Sequence, residues 1–368
     1  MVLRFMEGFE TRRTNIFASR VYATVVGAAF TDVVIPGRKR GVGHESSNLT
    51  LTTRALASSV QDTWIVQVSV LKRSTTAIVG SEIQLRNSAG DQVTMRFVDA
   101  GSPDVGAYKV QILRGATVLA TSARTFPYSG ATARGWVTFQ FKASVHQTTG
   151  TYEVRAWDWL DSGFTVIAGA TSQNTANQGT NGADRVRIAF SAAGGAMTYD
   201  DIVIMDGTGS ANNDFTSVPI LVYGELPVSD VAGESDWVPS TGVNHAALVD
   251  DGPTADGLTD EVTSDIVGDI DLYNFSNTQV ALIPSTSTPA ILGIMVDVEG
   301  QMKTSGTRTV HVQVKDGVNQ AEDTVDLVYD STAKISRYAV IEQNPTGTPA
   351  AWTRAALQTL ALGPKNAI

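Results

Sequence analysis

The segment Trp136-Val137-Thr138-Phe139-Gln140-Phe141-Lys142 alternates apolar and polar side chains along its whole length. Because successive side chains of a strand point to opposite faces of a sheet, its apolar residues are predicted to face a core and its polar residues to face outward. Similar alternation recurs at residues 65–70, 108–112, 152–157 and 185–190, with turn-forming Gly, Ser, Asn and Asp between these segments. This spacing predicts an antiparallel β-sandwich or jelly roll between about residue 16 and residue 205.

A second β-rich domain is predicted in the remainder of the chain. With 368 residues, the chain is longer than a single core usually supports. The polar stretch 207–215 is too rich in turn formers to pack, so we predict domains at residues 1–215 and 216–368. Further strands of the second domain are predicted at residues 290–298, 309–315 and 324–329.

The segment from Trp352 to Pro364 is predicted to contain one short helix. Thr353 is a suitable N-cap, good helix formers follow it, and the pair Gly363-Pro364 is a typical stop. The predicted fold is therefore all-β, with a jelly-roll sandwich followed by a smaller β-sandwich and a short C-terminal helix.

Charge is distributed unevenly along the chain. Residues 1–199 contain 20 Lys or Arg and 13 Asp or Glu, residues 200–302 contain 0 and 18, and residues 303–368 contain 7 and 6. The acids of the middle block are mostly Asp beside Gly, Ser, Thr or Asn, which is typical of turns. We expect this block to form a surface between domains and between subunits, because uneven charge determines which surfaces attract one another.

Composition excludes several classes of protein. The chain has no Cys, which excludes disulfides, zinc-thiolate sites and thiol nucleophiles. Its net charge is −10 and its largest basic cluster is Arg38-Lys39-Arg40, so we expect no nucleic-acid binding. No apolar run approaches 18 residues and Glu7 interrupts the opening apolar residues, so we expect synthesis in the cytoplasm, without a signal peptide or a membrane span.

Several segments resemble a known group of proteins. They are Glu7-Gly8-Phe9-Glu10, Tyr152-Glu153-Val154-Arg155, Tyr199-Asp200-Asp201-Ile202, residues 207–215, 237–250 and 268–273, and Trp352-Thr353. In order and spacing they resemble the laminin-G-like, concanavalin-A-like jelly rolls of bacteriophage structural proteins. The resemblance covers essentially the whole chain, and the stretch from Tyr199 to Tyr273 is its most specific part.

The resemblance implies a virion component made in the host cytoplasm, of the tail, fibre or capsid-decoration type. Its function would be assembly with other virion proteins and with copies of itself, and we expect a homo-oligomer, with a trimer favoured by analogy. The acidic middle block would then meet basic surface, either on residues 1–199 of a neighbouring copy or on another virion protein. The alternative function is a carbohydrate-binding adhesin whose loops hold host glycan, with or without calcium.

Enzymatic activity is not expected from these residues. Concanavalin-A-like glycosidases need two carboxylates that face one sugar bond. The nearest acidic strand residues are Asp200 and Asp201, which as sequence neighbours are predicted to point to opposite faces of a sheet. The sequence also lacks a Gly-x-Ser-x-Gly elbow and a phosphate loop. We therefore predict that the chain is not an enzyme and has no catalytic residues.

One candidate metal site lies in the Gly-rich loop at the end of the first domain. Asp206, Asn212 and Asp214 offer oxygen ligands of the kind that calcium prefers. Their spacing differs from that of an EF-hand loop, and Asp, Asn and Gly also form turns without any metal. The denser acids at residues 250–271 are predicted to be solvated loop or a subunit contact. The four histidines are scattered, and His311 is predicted to face outward from its strand.

Trp157 and Trp159 form a candidate carbohydrate-binding platform. They would lie two residues apart on one face of a strand, and aromatic faces pack against sugar rings. Two Trp residues on one face are also common in ordinary cores, and the sequence leaves both readings open.

Overall fold

The strand that contains Trp136 lies near the middle of an eight-stranded sheet in the described part of a computed structural model of the chain. The structure describes residues 3–7, 24–26, 31–36, 42–45 and 50–368, except residues 54, 58, 79, 105, 129–134, 159, 190–196, 209–212, 251–259 and 284–289. The chain divides into two compact units, Met1–Val222 (unit 1) and Tyr223–Ile368 (unit 2). Strands dominate both units, so the all-β prediction is confirmed.

Unit 1 is built from antiparallel strands. In the described residues they are β1 (Leu3–Glu7), β2 (Thr24–Val26), β3 (Thr31–Pro36), β4 (Val42–Glu45), β5 (Thr50–Thr52), β6 (Thr63–Lys72), β7 (Glu82–Asn87), β8 (Gly90–Asp99), β9 (Tyr108–Arg114), β10 (Thr117–Thr121), β11 (Trp136–Ser144), β12 (Gly150–Trp157), β13 (Thr165–Gln173), β14 (Arg185–Ala189) and β15 (Met197–Asp206).

These strands form two sheets, which we call the front sheet and the back sheet. The front sheet has the order β13-β12-β11-β6-β15-β4-β3, and β1 also pairs with β15. The back sheet has the order β10-β9-β8-β7-β14-β5-β2. Strand order therefore departs from chain order in both sheets, as in a jelly-roll sandwich.

The core between the two sheets is built from the alternating apolar residues. Val137, Phe139 and Phe141 of β11 are at most 2% exposed. The ring of Phe139 lies 5.3 Å from that of Phe97 on β8, in an edge-to-face arrangement. Front and back sheets thus meet at these side chains, which confirms the inward direction predicted for them.

The polar residues of β11 point away from this core, yet the central ones are not solvated. Thr138 lies opposite Ser69 of β6 and Gln140 lies opposite Gln67. Thr138 is 1% exposed and Gln140 is 0% exposed. The predicted direction of these two side chains is correct, but a further layer of the chain covers them.

Unit 2 contains the remaining described strands. They are β16 (Pro227–Ser235), β17 (Val238–Pro239), β18 (Val262–Thr263), β19 (Asp271–Phe275), β20 (Ile294–Gly300), β21 (Arg308–Asp316), β22 (Asn319–Tyr329), β23 (Ile335–Ile341), β24 (Gln343–Asn344), β25 (Ala350–Ala351) and β26 (Leu360–Asn366). Short 3-10 turns span Ala246–Leu248 and Val280–Leu282, and α1 spans Arg354–Gln358.

The core of unit 2 lies on one side of a five-stranded sheet with the order β16-β19-β26-β21-β22. Val310, Val312 and Val314 of β21 are buried there together with Trp352, as their alternation predicts. The separate pair β20-β23 packs against the same cluster through partly buried residues of β20 and through Ala339 and Ile341 of β23.

The short C-terminal helix is confirmed, but the chain beyond it differs from the prediction. The Thr353 hydroxyl accepts a 3.1 Å hydrogen bond from the backbone N–H of Ala356, so Thr353 is the N-cap. The helix ends at Gln358, and Gly363-Pro364 lies inside β26, in the centre of the five-stranded sheet. Within the described residues, no helix is long and apolar enough to cross a membrane.

Candidate functional site

The outer side of the front sheet is covered by residues 214–222, which we call the strap. It follows β15 and ends with the last residue of unit 1, whereas the predicted boundary precedes residue 216. At its start, Lys142 Nζ donates a 2.9 Å hydrogen bond to Asp214, which holds the pKa of that carboxyl below its usual range. The guanidinium of Arg155 lies 4.2 Å from the ring centroid of Phe215. The strap therefore begins over β11 and β12.

The middle of the strap is held by two buried amide side chains. Gln140 Nε2 donates to Thr216 Oγ1 at 2.5 Å. Gln67 Nε2 donates to the carbonyl of Ile220 at 2.7 Å, and the N–H of Ile220 donates to Gln67 Oε1 at 2.9 Å. The Gln67 side chain thus satisfies both backbone groups of one strap residue, as a neighbouring strand would.

The end of the strap is anchored at a bulge in β15. The N–H of Val222 donates to Asp201 Oδ1 at 2.8 Å, and the hydroxyl of Ser69 donates to Oδ2 at 3.2 Å. Asp201 has φ 48°, and the register with β6 shifts between Asp200 and Val203. The bulge turns Asp201 to the outer face, where Asp200 already lies opposite Ser69. The prediction that the two carboxylates point to opposite faces is therefore wrong.

The arrangement forms a polar row suited to an extended polypeptide backbone. Its members, Gln67, Ser69, Gln140 and Asp201, are at most 3% exposed. Amide, hydroxyl and carboxylate groups of this kind match the N–H and C=O groups of a main chain. The chain's own strap occupies the row, so any other polymer would reach it only after the strap has moved.

The described members of the predicted metal site each have a cationic partner. Asp206 is fully buried and accepts a 2.7 Å hydrogen bond from Arg4 Nε. Burial raises the pKa of Asp206, but hydrogen bonds from Thr208 and Arg4 outweigh that effect and lower it. Asp214 is paired with Lys142, and Asn212 lies outside the described residues. No group of three or more His, Asp or Glu suited to a metal occurs in the described part of the chain, and calcium binding stays a prediction.

The predicted sugar platform is described only in part. Trp157 lies opposite Thr138, on the outer side of the front sheet, and is half-buried. Its ring packs edge to face on Phe164, with centroids 5.4 Å apart. Trp157 therefore lies outside the core between the two sheets, and Trp159 lies outside the described residues.

Unit 2 contains a buried polar network that the sequence does not predict. His245 Nδ1 is 2.9 Å from a carboxylate oxygen of Asp271, and the hydroxyl of Tyr273 donates to the same oxygen at 2.7 Å. Asp230 accepts the N–H groups of His245 and Ala246 at 3.0 Å and 2.6 Å. Burial raises the pKa of Asp271, although the bonds from Tyr273 and His245 oppose this. The network fixes the 3-10 turn after His245 to β16 and β19.

His311 also differs from the prediction of a simple surface residue. It faces the outer side of the five-stranded sheet, but its side chain is only 15% exposed. Nδ1 contacts Glu322 and Nε2 lies 2.8 Å from Asp326, while Lys365 donates to the other oxygen of Glu322. Burial of the ring lowers the pKa of His311, but its bonds to Glu322 and Asp326 outweigh this and raise it.

The His245 network and the strap contacts both join residues that are distant along the chain. His245 and Asp271 are 26 positions apart, and Gln67 and Ile220 are 153 apart. Such pairs depend on strand order, which alternation does not specify. The sequence gives no comparable signal for the strap: Gln67 and Ser69 alternate with apolar residues as the solvated side of a strand does, and only the structure shows that they are buried and need partners.

No family model and no curated protein matches the chain. Similar solved structures include a GH54 a-L-arabinofuranosidase, with TM-score 0.33 and 10% identity over 54% of this chain and 45% of that one. The Ca2+/Man3GlcNAc-bound exoplasmic/lumenal domain of VIP36 gives 0.30 and 11%, over 47% and 83%. The CBM2 module of the evolved Dit of Lactobacillus casei BL23 phage J-1 gives 0.28 and 9%, over 44% and 75%. The chain spans less than half of the arabinofuranosidase's length. At these TM-scores, the similarity identifies neither a site nor an activity of this chain.

The prediction that the chain is not an enzyme is contradicted by these similar structures, which include the GH54 enzyme and a GH43 glycoside hydrolase. The bulge at Asp201 also removes one of the arguments behind that prediction, regular alternation at Asp200 and Asp201, because β15 is irregular at that point.

Proposed function

We propose that the chain is a structural component of a bacteriophage particle, of the tail, fibre or capsid-decoration type, and that it acts by assembly with copies of itself and with other virion proteins. The virion setting follows from the sequence resemblance, and the observation that carries the assembly role is the division of charge between the two compact units. Residues 1–222 contain 20 basic and 17 acidic residues, a net charge of +3. Residues 223–368 contain 7 and 20, a net charge of −13. Oppositely charged surfaces on one chain favour ordered association between copies.

The strap that covers the front sheet supports an assembly role. Its polar row is closed by the strap, so the outer side of unit 1 presents strap residues such as Phe215 and Val218 instead of an open groove. Val218 is 56% exposed. Apolar side chains at the surface of a rigid sandwich are suited to contacts with a neighbouring subunit.

The experiment is to locate the chain in purified particles of the bacteriophage that encodes it. Gold-labelled antibody against unit 2, viewed by electron microscopy, should mark a regular position on each particle. Quantitative mass spectrometry should find several copies per particle. Absence of the chain from washed particles, with presence only in the host lysate, would exclude a virion role.

The second candidate function is binding of host glycan on the outer side of the front sheet, with or without calcium. The specific observation in its favour is Trp157, whose ring is outside the core and is held in place by Phe164. A glycan array followed by calorimetry, with and without chelator, tests this function. Trp157→Ala should then abolish binding, while Trp237→Ala in unit 2 should not. Absence of glycan binding by the unmodified chain would contradict the candidate.

A further inference from the structure

The outer side of the back sheet carries an unusual concentration of cationic side chains. In β14, Arg185 and Arg187 alternate with the buried residues Val186 and Ile188, so both arginines point away from the core. Arg185 lies directly opposite Arg86 of β7. By the same alternation the outer side of four adjacent strands presents a group that we call the arginine face: Arg86, Arg96, Lys109, Arg185 and Arg187.

The carboxylates on this side do not neutralise the arginine face. Glu82 pairs with Arg96 at 2.5 Å, and Asp184 pairs with Arg185 at 2.7 Å. Asp91 is shared, at 2.5 Å from Arg86 and 3.7 Å from Arg187. Among the residues that the structure describes, five cations therefore face three anions.

Two features of the arginine face make it suited to a further anionic partner. Like charges placed directly opposite each other on neighbouring strands are destabilising, and Arg86 and Arg185 are placed in this way. The four arginine side chains are 29–36% exposed, so part of each guanidinium faces solvent. Guanidinium groups bind carboxylates through paired N–H donors, and a partner rich in Asp or Glu would complete these contacts.

A surface of the required charge exists on unit 2. Residues 223–302 contain 14 Asp or Glu and no Lys or Arg. One part of it is described as a connected surface: β17 pairs with β18, and β18 lies within the segment 260–269. We call residues 236–240 and 260–269 the acidic arm. Its exposed members include Asp236 and Asp265, and among its described acids only Glu261 has an ion-pair partner, Lys303.

The acidic arm also exposes apolar side chains. Val238 is 64% exposed, and Ile266 and Val267 are each 62% exposed. Acidic groups around apolar ones are typical of a contact surface, in which the charges set the partner and the apolar groups supply burial.

We propose that the arginine face of one copy binds the acidic arm of a second copy. This inference rests on the proposed assembly function and specifies the surfaces that it uses. The two surfaces are different parts of the chain, so the contact is head-to-tail. Repetition of such a contact closes into a ring or continues as a filament.

The test reverses the charge of each surface separately and then of both together. The first variant is Arg185→Glu with Arg187→Glu, the second is Asp260→Lys with Asp265→Lys, and the third combines all four changes. The matched control is Arg114→Glu with Arg308→Glu, which gives the same net charge as the first variant but lies outside the arginine face. Mass in solution is measured by light scattering after size-exclusion chromatography at low ionic strength, and circular dichroism verifies that every variant is folded.

The unmodified chain and the control should assemble. The first and second variants should each weaken assembly at least about tenfold, since close charge pairs contribute at least that much to association. The combined variant should recover assembly, because its surfaces are again complementary. If the unmodified chain assembles and the first variant assembles equally well, the arginine face is not the contact, while the assembly function stands. If the unmodified chain is monomeric, self-assembly itself is refuted.

Discussion

Gln67 is fully buried on the outer side of the front sheet, at a position where alternation predicts a solvated side chain. Alternation correctly gives the side of the sheet, because that depends only on the local strand. It does not give the partner, because Ile220 is 153 residues away and meets Gln67 only when the chain returns across the sheet. The same limit applies to Asp201, whose direction is set by a bulge and by the strap residue Val222.

Gln67→Met should loosen the strap. Methionine has a similar length but cannot pair with the N–H and C=O of Ile220, so two backbone groups lose their partners. We expect the free energy of unfolding of unit 1 to fall by about 2 kcal/mol, measured by urea denaturation. The backbone amide of Ile220 should also exchange with solvent faster.

Gln111→Met is the matched control for this change. The Gln111 amide makes one exposed hydrogen bond, to Thr121 at 3.3 Å, so its loss should alter stability by less than about 0.5 kcal/mol. Equal effects of the two substitutions would mean that Gln67 does not hold the strap.

His311 predicts a pH dependence of unit 2. Its pKa is raised above the ordinary value of 6.5, so the folded state holds the proton more tightly than the unfolded chain. The stabilising contribution is therefore complete below about pH 6.5 and is lost as the pH rises through the raised pKa. His311→Gln should remove this contribution, so the stability difference between the unmodified chain and the variant should shrink between about pH 6 and pH 9.

Urea denaturation of both proteins across this range measures the difference. The facing charges are Glu322, Asp323 and Asp326 of β22 and Lys365 of β26, and they are the same in both proteins. A difference that stays constant with pH would show that the ion pairs of His311 contribute nothing to stability.

At the scale of elements, the C-terminal segment has a helix that depends on neighbouring residues and a strand that depends on residues distant along the chain. Thr353 caps a helix as the sequence predicts, because capping involves only residues within one turn. The segment after the helix reads as helical up to a Gly-Pro stop, but it forms β26, the central strand of the five-stranded sheet. Its strand state depends on pairing with β19 and β21, which are distant along the chain, and that pairing overrides helix propensity.

Gly363→Ala should destabilise unit 2. A Cβ at this position would overlap the carbonyl oxygen of Asp271, so β19 and β26 could not keep their close approach. Because the obstacle is backbone, we expect a loss of at least about 3 kcal/mol, measured by urea denaturation.

The matched control for this substitution is Gly163→Ala, since Gly163 has no atom within 4 Å of the added Cβ. It should change stability by less than about 0.5 kcal/mol. Native stability in Gly363→Ala would mean that the pairing of β19 with β26 tolerates a wider separation than the structure has.

At the scale of the whole molecule, the charge pattern was visible in the sequence but its surfaces were not. Counting residues identifies a cation-free stretch of 115 positions between Arg187 and Lys303. It does not identify the arginine face, whose members come from four strands and lie together only through the order β9-β8-β7-β14. All-β architecture could be predicted because short alternating segments fill the chain, whereas the strap could not, because it has no periodic pattern.

The central claim is that copies of this chain assemble with one another through surfaces of opposite charge. Sedimentation velocity of the unmodified protein from low to high salt tests it most directly, because the screening length falls from about 30 Å at 10 mM to about 3 Å at 1 M. We predict a multiple of the 39.0 kDa chain mass at low salt and a shift toward 39.0 kDa as salt rises. A mass of 39.0 kDa at every salt concentration, or a multimer that salt does not affect, would contradict the claim.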